Sequence, residues 1–435
     1  MTYAAPPERL ESRLADAKPA YSAAEARAEA ERCLYCHDAP CVQACPTSID
    51  IPRFIQQIAT GDGLGAARTI MTANVLGYSC ARVCPVEVLC VGDCVYNPWH
   101  KPPIQIGKLQ RWATETALEA EAAGGRRVFT PRPAKARRRV ALIGAGPASL
   151  ACAAYLALEG HEAVIFERGE LPGGLNTTGV APYKLHTEDS LREVAYVRSL
   201  GVEIRTGVEV GRDVSPASLV GDWDAVFLGL GLGDDTRLGV PGEDGPGVVG
   251  ATAFIARMKN EPGFTVDGVR RAAVVGGGNT AIDVARELAK LGVTDVAMVY
   301  RRTAGEMSGY AHEMSAARTE GVRLVERAQP TAVARDGGGA VTGLRVATPA
   351  GEQELPVDLV VLAIGQSKLR SLAGSFAGVA LDARGCVVVD ARTKRTGHAK
   401  VYAGGDCING GKEVVNAVAD GRDAARAMMA GWAEV

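Results

Sequence analysis

Eight cysteines fall between Cys33 and Cys94, in two runs, CLYCHDAPCVQACP (33–46) and CARVCPVEVLCVGDC (80–94). Thiols at this density dictate the N-terminal fold more than any apolar pattern, because they must either pair as disulfides or bind metal. Disulfide scaffolds are usually short, secreted and cysteine-rich throughout. Here the chain has 435 residues, and its other three cysteines, Cys152, Cys386 and Cys407, are scattered. The opening MTYAAPPERLESRLADAKPAYSAAEARAEAER is rich in charge and lacks the apolar stretch of a secretory signal. No apolar run approaches membrane-spanning length. Metal ligation in a reducing, cytoplasmic setting is the expectation, with no membrane association. A net charge of -2 leaves none of the basic footprint of nucleic-acid binding.

The chain reads as three regions. Residues 1–128 carry the cysteines and are expected to be helical. SAAE from Ser22 to Glu25 is a capping box, and IPRFIQQIATGD and PIQIGKLQRWATETALEAEAAGG have helical patterns. The basic TPRPAKARRR follows as a solvated connector. From Val140 apolar strands alternate with helices, the pattern of α/β folds with parallel sheets. RDGGGA (335–340) reads as a hairpin turn.

Two glycine-rich strand-to-helix turns stand in that α/β part. In RVALIGAGPASLACAAYLALEGHEAVIFER, Gly144 permits the tight turn and Gly146 lets backbone amides reach a pyrophosphate. Pro147 and Ala148 open the helix. Ser149 holds the third fingerprint position, a departure tolerable if helix and strand pack slightly apart. Glu167 ends the next strand, about 20 residues on, where a carboxylate binds ribose hydroxyls, with Arg168 beside it. The second turn, RAAVVGGGNTAIDVARELAKLGVTDVAMVYRR, has Gly276, Gly278, Asn279 and Thr280, with Ala281 in the close-packing slot. Its second strand ends in Arg301 and Arg302 instead of an acid, which favours the 2'-phosphate of NADPH over NADH. Ala363 and Gly365 in LVVLAIGQ complete this unit.

VYAGGDC (401–407), with Gly405 and Asp406, resembles the second FAD motif of two-dinucleotide flavoenzymes, in which the aspartate bonds the ribityl–phosphate region. LPGGLN, with Gly174 and Leu175, resembles the turn at which that family closes over the flavin; Lys184 follows as a further candidate. The implied layout nests an NAD(P) domain (241–365) inside an FAD domain (138–240 and 366–435), as in disulfide-reductase-like flavoproteins. No Cys-x-x-Cys pair lies beyond residue 94, so electrons would not leave through a dithiol. Cys152, Cys386 and Cys407 are expected to be structural.

The eight thiols could serve two zinc sites or iron–sulfur clusters. Cys45-Pro46 and Cys84-Pro85 carry the Cys-Pro ending of bacterial ferredoxin runs, and a flavin needs an electron exit that redox-inert zinc does not give. In two-cluster ferredoxins the cysteine before proline joins the other cluster. Cys33, Cys36 and Cys41 would then begin one cluster and Cys45 the second. By symmetry Cys84 and Cys90 join Cys45, and Cys94 crosses back. Spacing alone nominates Cys80 as the remaining ligand.

CLYCHDAPCVQACP, GAARTIMTANVLGYSCARVCPVEVLCVGDC and PIQIGKLQRWATE together resemble the iron–sulfur domain of dihydropyrimidine dehydrogenases and their bacterial small subunits of PreT type, shared with glutamate synthase small subunits. The resemblance continues through both nucleotide units. It implies FAD, NADPH or NADH, and two [4Fe–4S] clusters. One would be held by Cys33, Cys36, Cys41 and Cys94. The other would be held by Cys45, Cys84, Cys90 and, unusually, Gln110, leaving Cys80 a bystander. The family's pyrimidine site lies in an FMN-binding barrel with its own iron–sulfur region, for which this chain has no room. A separate barrel subunit, and hence a hetero-oligomer reducing uracil or thymine, is the expectation. A glutamate synthase small subunit is the alternative. A zinc-stabilised nucleotide sensor and a sulfide-dependent ferredoxin reductase are more distant ones.

Overall fold

The computed structural model describes residues 3–433. The cysteine region is helical: α1 Ala23–Glu31, α2 Pro40–Gln43, α3 Ile51–Ala59, α4 Gly63–Ala73, α5 Gly77–Val83 and α6 Ile106–Ala122. Three of these starts are capped locally. Ser22 and Glu25 form the expected capping box at α1. Asp50 accepts the Arg53 N–H at α3, and Asp62 accepts that of Gly65 at α4. Ile51, Phe54, Ile55 and Ile58 recur at helical spacing along α3 and are all buried.

Two parallel five-stranded sheets follow. The first half of the first sheet is built from β1 Arg139–Ile143, α7 Pro147–Leu158, β2 Glu162–Glu167, α8 Leu175–Thr178, α9 Thr187–Ser199, β3 Glu203–Thr206, α10 Pro216–Asp222 and β4 Ala225–Leu228. The chain then leaves to build β5 Val248–Gly250, α11 Ala251–Asn260, β6 Arg271–Val275, α12 Asn279–Lys290, β7 Asp295–Val299, α13 Ala311–Thr319 and β8 Arg323–Val325. An antiparallel meander, β9 Gln329–Arg335, β10 Val341–Thr348 and β11 Gly351–Pro356, precedes β12 Leu359–Leu362. The expected hairpin turn lies between β9 and β10. After α14 Arg370–Gly374 the chain returns to the first sheet with β13 Val401–Ala403, then α15 Asp406–Asn409 and α16 Val414–Ala433. The strand orders are β13-β4-β1-β2-β3 and β5-β12-β6-β7-β8. Val401 pairs with Val226 and Ala403 with Leu228, so the second sheet is an excursion from the first. Strands such as Val140–Ile143 and Val360–Leu362 are buried apolar runs, as sheets covered on both faces require.

The cysteine region has no core of its own. Phe54, Ile70 and Tyr78 share one apolar cluster with Tyr155 of α7 and Val418 and Met428 of α16. A polar seam runs through that contact. α5 has no side-chain cap of its own. Instead Glu193 of α9 accepts the N–H groups of Tyr78 and Ser79 at 3.0 and 3.1 Å, and also the Ser79 hydroxyl. Tyr78 donates its hydroxyl to Asp189 at 2.6 Å, and Arg82 pairs with the same carboxylate. Arg422 of α16, itself buried, donates to the carbonyls of Thr47 (2.7 Å) and Ala73 (3.0 Å).

The two sheets are also strapped together. Arg9 donates to the carbonyl of Lys259 at 2.8 Å, and Glu11 accepts the Thr187 N–H at 3.0 Å. Lys259, on α11, is fully buried and donates to the carbonyls of Asn176, Val180 and Leu185.

Burial pushes the Glu193 carboxyl up to about 7, against the hydrogen bonds from Ser79 and Tyr78. Its ordinary value is 4.5. Between these values the native state keeps a proton that the unfolded chain has lost. Its contribution to stability is therefore complete below about pH 4.5 and lost as pH rises through about 7. In Glu193→Gln, denaturant unfolding at pH 5 and pH 7 is expected to lose this fall, roughly 1.4 kcal/mol per pH unit for one proton. An unchanged pH slope would show that the carboxyl is ionised throughout.

Candidate functional site: a dinucleotide cleft and two cysteine cavities

A cleft of about 1290 Å³ runs between the two parallel sheets. All but one of the dinucleotide-contact candidates drawn from the sequence line it, from Gly144 to Asp406 on the first unit and from Gly276 to Gly365 on the second. The exception is Ser149. It is fully buried behind the wall, its hydroxyl facing the Ile143 carbonyl at 3.5 Å. A Cβ on Gly229 would lie 2.1 Å from the Ser149 oxygen, so a glycine at the end of the neighbouring strand makes the room.

The cradle is built of backbone. At Gly174 φ is +56°, and a Cβ there would sit 2.7 Å from the Gly146 Cα. Two glycine loops thus press together where a pyrophosphate would approach the start of α7, whose N-cap is Gly146. In the second unit Gly276 has φ of +147°, and its Cβ would meet the Ala363 carbonyl at 2.3 Å. Glu167 accepts N–H groups from Ala145 (2.6 Å) and Gly169 (2.7 Å), which fixes its carboxylate at the cleft wall. Asp406 accepts the Lys412 N–H at 3.1 Å, and burial raises its carboxyl against that bond and the Lys368 charge. Arg168, Arg301 and Arg302 are exposed along the rim. These features fit a flavin dinucleotide on the first unit and a nicotinamide dinucleotide on the second.

Lys184 lines the cleft, but its ammonium is committed to Asp283 at 2.7 Å and Glu313 at 2.9 Å, on α12 and α13. Sequence reading missed those carboxylates. It also missed Tyr310, which donates its hydroxyl to Glu413 at 2.8 Å across the cleft and takes the Asn279 oxygen on its backbone N–H at 2.9 Å. No local pattern marks such pairs, because each joins segments far apart in the chain.

The cysteines sort into two small cavities. Cys33, Cys36, Cys41 and Cys94 line one. Cys45, Cys80, Cys84, Cys90 and Gln110 line the other, and Ile51 belongs to both walls. Cys45 thus leaves its own run and Cys94 crosses back. Gln110 donates its Nε2 to the Gly77 carbonyl at 2.7 Å, which leaves its oxygen as the free donor atom. Cys80, on α5, is buried and stands in the same wall as Cys84, the residue that follows the helix. Among the described residues, no three His, Cys, Asp or Glu side chains converge on a single-ion site. The thiols of each set line a shared cavity. Burial, reinforced by neighbouring thiols, pushes Cys41 and Cys90 up to about 12. Only bound cations would hold such thiols as thiolates at neutral pH.

The second cavity abuts the cleft. Val83 and Pro85 line the cleft while Cys84, between them, lines the cavity. On α16, Val414 and Ala417 face the cleft and Val415 the cavity. The first cavity lies beyond, near the surface, where Leu34, Tyr35 and Trp99 are exposed by 48%, 37% and 55%. Cys152, Cys386 and Cys407 are buried elsewhere as free thiols.

Residues 138–421 match the pyridine nucleotide-disulphide oxidoreductase family, and the chain belongs to it. Residues 10–122 match the family described as dihydropyrimidine dehydrogenase domain II, 4Fe-4S cluster. The chain is accordingly an NAD(P)H-dependent flavoprotein oxidoreductase with an iron–sulfur domain, an electron-transfer subunit by type. It is similar to the glutamate synthase [NADPH] small chain of Escherichia coli (strain K12), 34% identical over 95% of this chain and 93% of that one. It is equally similar to the NAD-dependent dihydropyrimidine dehydrogenase subunit PreT of the same organism, 34% identical over 94% of this chain and 95% of that one. Its fold is that of T. acidophilum thioredoxin reductase, with a TM-score of 0.57 at 24% identity, over 68% of this chain and 99% of that one. No helix among the described residues is long and apolar enough to cross a membrane.

Gly174→Ala is expected to strip flavin and leave iron in place. A side chain at positive φ costs about 1–2 kcal/mol, before the clash with Gly146 is added. Flavin absorbance and iron content of the purified variant check this. Full flavin occupancy would mean that the two loops part without cost.

Proposed function

We propose that this chain is the NAD(P)H-oxidising subunit of a dihydropyrimidine dehydrogenase. It would exchange electrons with a separate FMN/iron–sulfur barrel subunit that reduces uracil or thymine. The observation that carries the reading is Gln110. Its amide nitrogen is spent on Gly77, and the side chain stands in the wall shared with Cys45, Cys84 and Cys90. A glutamine ligand is the unusual mark of the pyrimidine enzymes.

On this reading Cys33, Cys36, Cys41 and Cys94 hold one [4Fe–4S] cluster. Cys45, Cys84, Cys90 and Gln110 hold the second, and Cys80 holds none. A neutral amide in place of a thiolate lowers the negative charge of the site and raises its potential. When bound, the flavin supplies two-electron exchange with a nicotinamide and one-electron exchange with iron–sulfur centres. The residues of this chain supply the alignment. Gly146 and Gly174 seat one dinucleotide, Gly276 and Gly278 the other, and Lys184 with Asp283 and Glu313 ties the two units together across the cleft. Cys84 stands between Val83 and Pro85 of the cleft wall, so the second thiol set is the one beside the flavin. The exposed Leu34, Tyr35 and Trp99 beside the first set offer the partner an apolar contact.

One feature favours a second reading. Arg301 and Arg302 lie on the cleft rim and suit the 2'-phosphate of NADPH, the nucleotide named for the glutamate synthase relatives. A small subunit feeding a glutamate synthase large subunit would use the same cleft and thiols.

The isolated chain, purified without oxygen, is expected to reduce artificial acceptors with NAD(P)H but not to turn over uracil. Affinity capture from its own cells is expected to bring down an FMN barrel subunit; capture of a glutamate synthase large subunit instead would replace the first reading with the second. Uracil turnover by the pure chain would refute the need for a partner.

Cys80→Ser should keep its full iron content, while Cys84→Ser should lose one cluster. Iron loss from Cys80→Ser together with iron retention in Gln110→Ala would reverse that ligand assignment. Arg301→Ala should raise the KM for NADPH roughly tenfold or more, the usual scale for a lost hydrogen bond to a charged group, with little change for NADH. Equal effects on both nucleotides would remove the phosphate role.

A further inference from the structure

Asn74 ends α4 and takes no part in the ligand sets above. Its backbone N–H donates to the Ile70 carbonyl at 2.9 Å. Its side chain is completely buried, yet neither Oδ1 nor Nδ2 has a protein partner. That side chain lines the second cavity, in the same wall as Cys45, Cys84, Cys90 and Gln110. The rest of the wall is mostly aliphatic, including Ile49, Leu89 and Val415.

A buried amide with every hydrogen-bonding group unmet is expensive, and an isosteric leucine at the same point would cost less. The side chain therefore has something in the cavity to bond. The cavity offers thiol sulfurs, which as thiolates accept hydrogen bonds and donate none, and an amide N–H is a donor suited to them. Its position is also held. Arg422 fastens the carbonyl of Ala73, next to Asn74, and that of Thr47, two residues past Cys45, with one nitrogen. The amide and the Cys45 loop are thus pinned to a common point.

We propose that Asn74 is a further residue of this site. Its Nδ2–H donates a hydrogen bond to a sulfur of the cluster held by Cys45, Cys84, Cys90 and Gln110, and this raises the cluster's reduction potential. The proposal rests on the two-cluster reading above. A hydrogen bond to sulfur stabilises the reduced, more negative state, so it acts in the same direction as the neutral ligand Gln110. Asn74 binds no iron in this scheme; it is a positioning and tuning residue.

The test uses the holoprotein prepared without oxygen. Asn74→Leu keeps the volume and removes the donor. Iron and sulfide are expected at wild-type levels. In an EPR-monitored redox titration the second cluster's midpoint is expected to fall by about a tenfold change in its reduction equilibrium, ~59 mV for one electron, with the first cluster unmoved. Full iron with both midpoints unchanged would overturn the proposal, as when the amide is satisfied by a buried water. A second measurement needs no variant: pulsed EPR of reduced wild-type protein carrying isotope-labelled asparagine nitrogen. Coupling of that nitrogen to the second cluster supports the hydrogen bond, and its absence overturns it even if Asn74→Leu does not fold. Too little iron in the wild type for two [4Fe–4S] clusters, or unchanged iron in Cys84→Ser, would remove the two-cluster reading first and the proposal with it.

Discussion

Arg422 is a charged side chain in a place where charge is costly. It is buried between α16 and the cysteine region, and it offsets that cost with two backbone carbonyls and the neighbouring Asp423 carboxylate. The carbonyls belong to different segments, one in the loop after Cys45 and one at the last residue of α4. The helix that carries Arg422 begins at the cleft wall, where Val414 faces the dinucleotide side and Val415 the second cysteine cavity. One guanidinium therefore ties three things together: the flavin edge of the first sheet, the Cys45 loop and the α4 terminus. The two sides of this contact share one core and one anchor.

The same economy appears along the seam between α5 and α9. α5 carries Cys80 and ends just before Cys84, but it lacks a side-chain cap of its own, and Glu193 supplies one from the first sheet's layer. A helix whose start is satisfied only by another domain keeps its register only while that domain is in place. The position of Cys84 against the cleft is thus set by tertiary contacts, and helix propensity has little part in it. The nucleotide unit is held just as firmly. Lys184 against Asp283 and Glu313, Tyr310 against Glu413, and Lys259 against three carbonyls each bridge the two parallel sheets.

Much of this was legible in the linear chain wherever a function needs adjacent residues. Both glycine fingerprints, the capping box at Ser22 and the long helix bearing Gln110 follow from short patterns, and the nesting of one sheet inside the other from the resemblance of VYAGGDC to a second FAD motif. Ser149 shows where such reasoning stops. It departs from its fingerprint, and the residue that makes room for it, Gly229, lies just past another strand. The carboxylates around Lys184, the placement of Val83 and Pro85 in the cleft wall and the unpaired amide of Asn74 were invisible for the same reason. Each depends on segments that meet only after both sheets have formed, and no local periodicity records such meetings. Cys80 and Cys84 mark another limit, since two thiols one helical turn apart in the same wall differ only in which one the geometry of a bound cluster selects.

The strap formed by Arg9 and Glu11 has a consequence for how the molecule is made. Arg9 grips the Lys259 carbonyl across 250 positions of chain, and Glu11 grips Thr187 across 176. At ordinary elongation rates of about 5–20 residues per second, Arg9 waits roughly 10–50 s for its anchor to be made. The cysteine loops emerge in that interval with their shared core still unsynthesised. Biogenesis thus leaves a period in which the thiols are accessible to whatever delivers iron and sulfide, and it closes only once α16, with Arg422, Val418 and Met428, has been made.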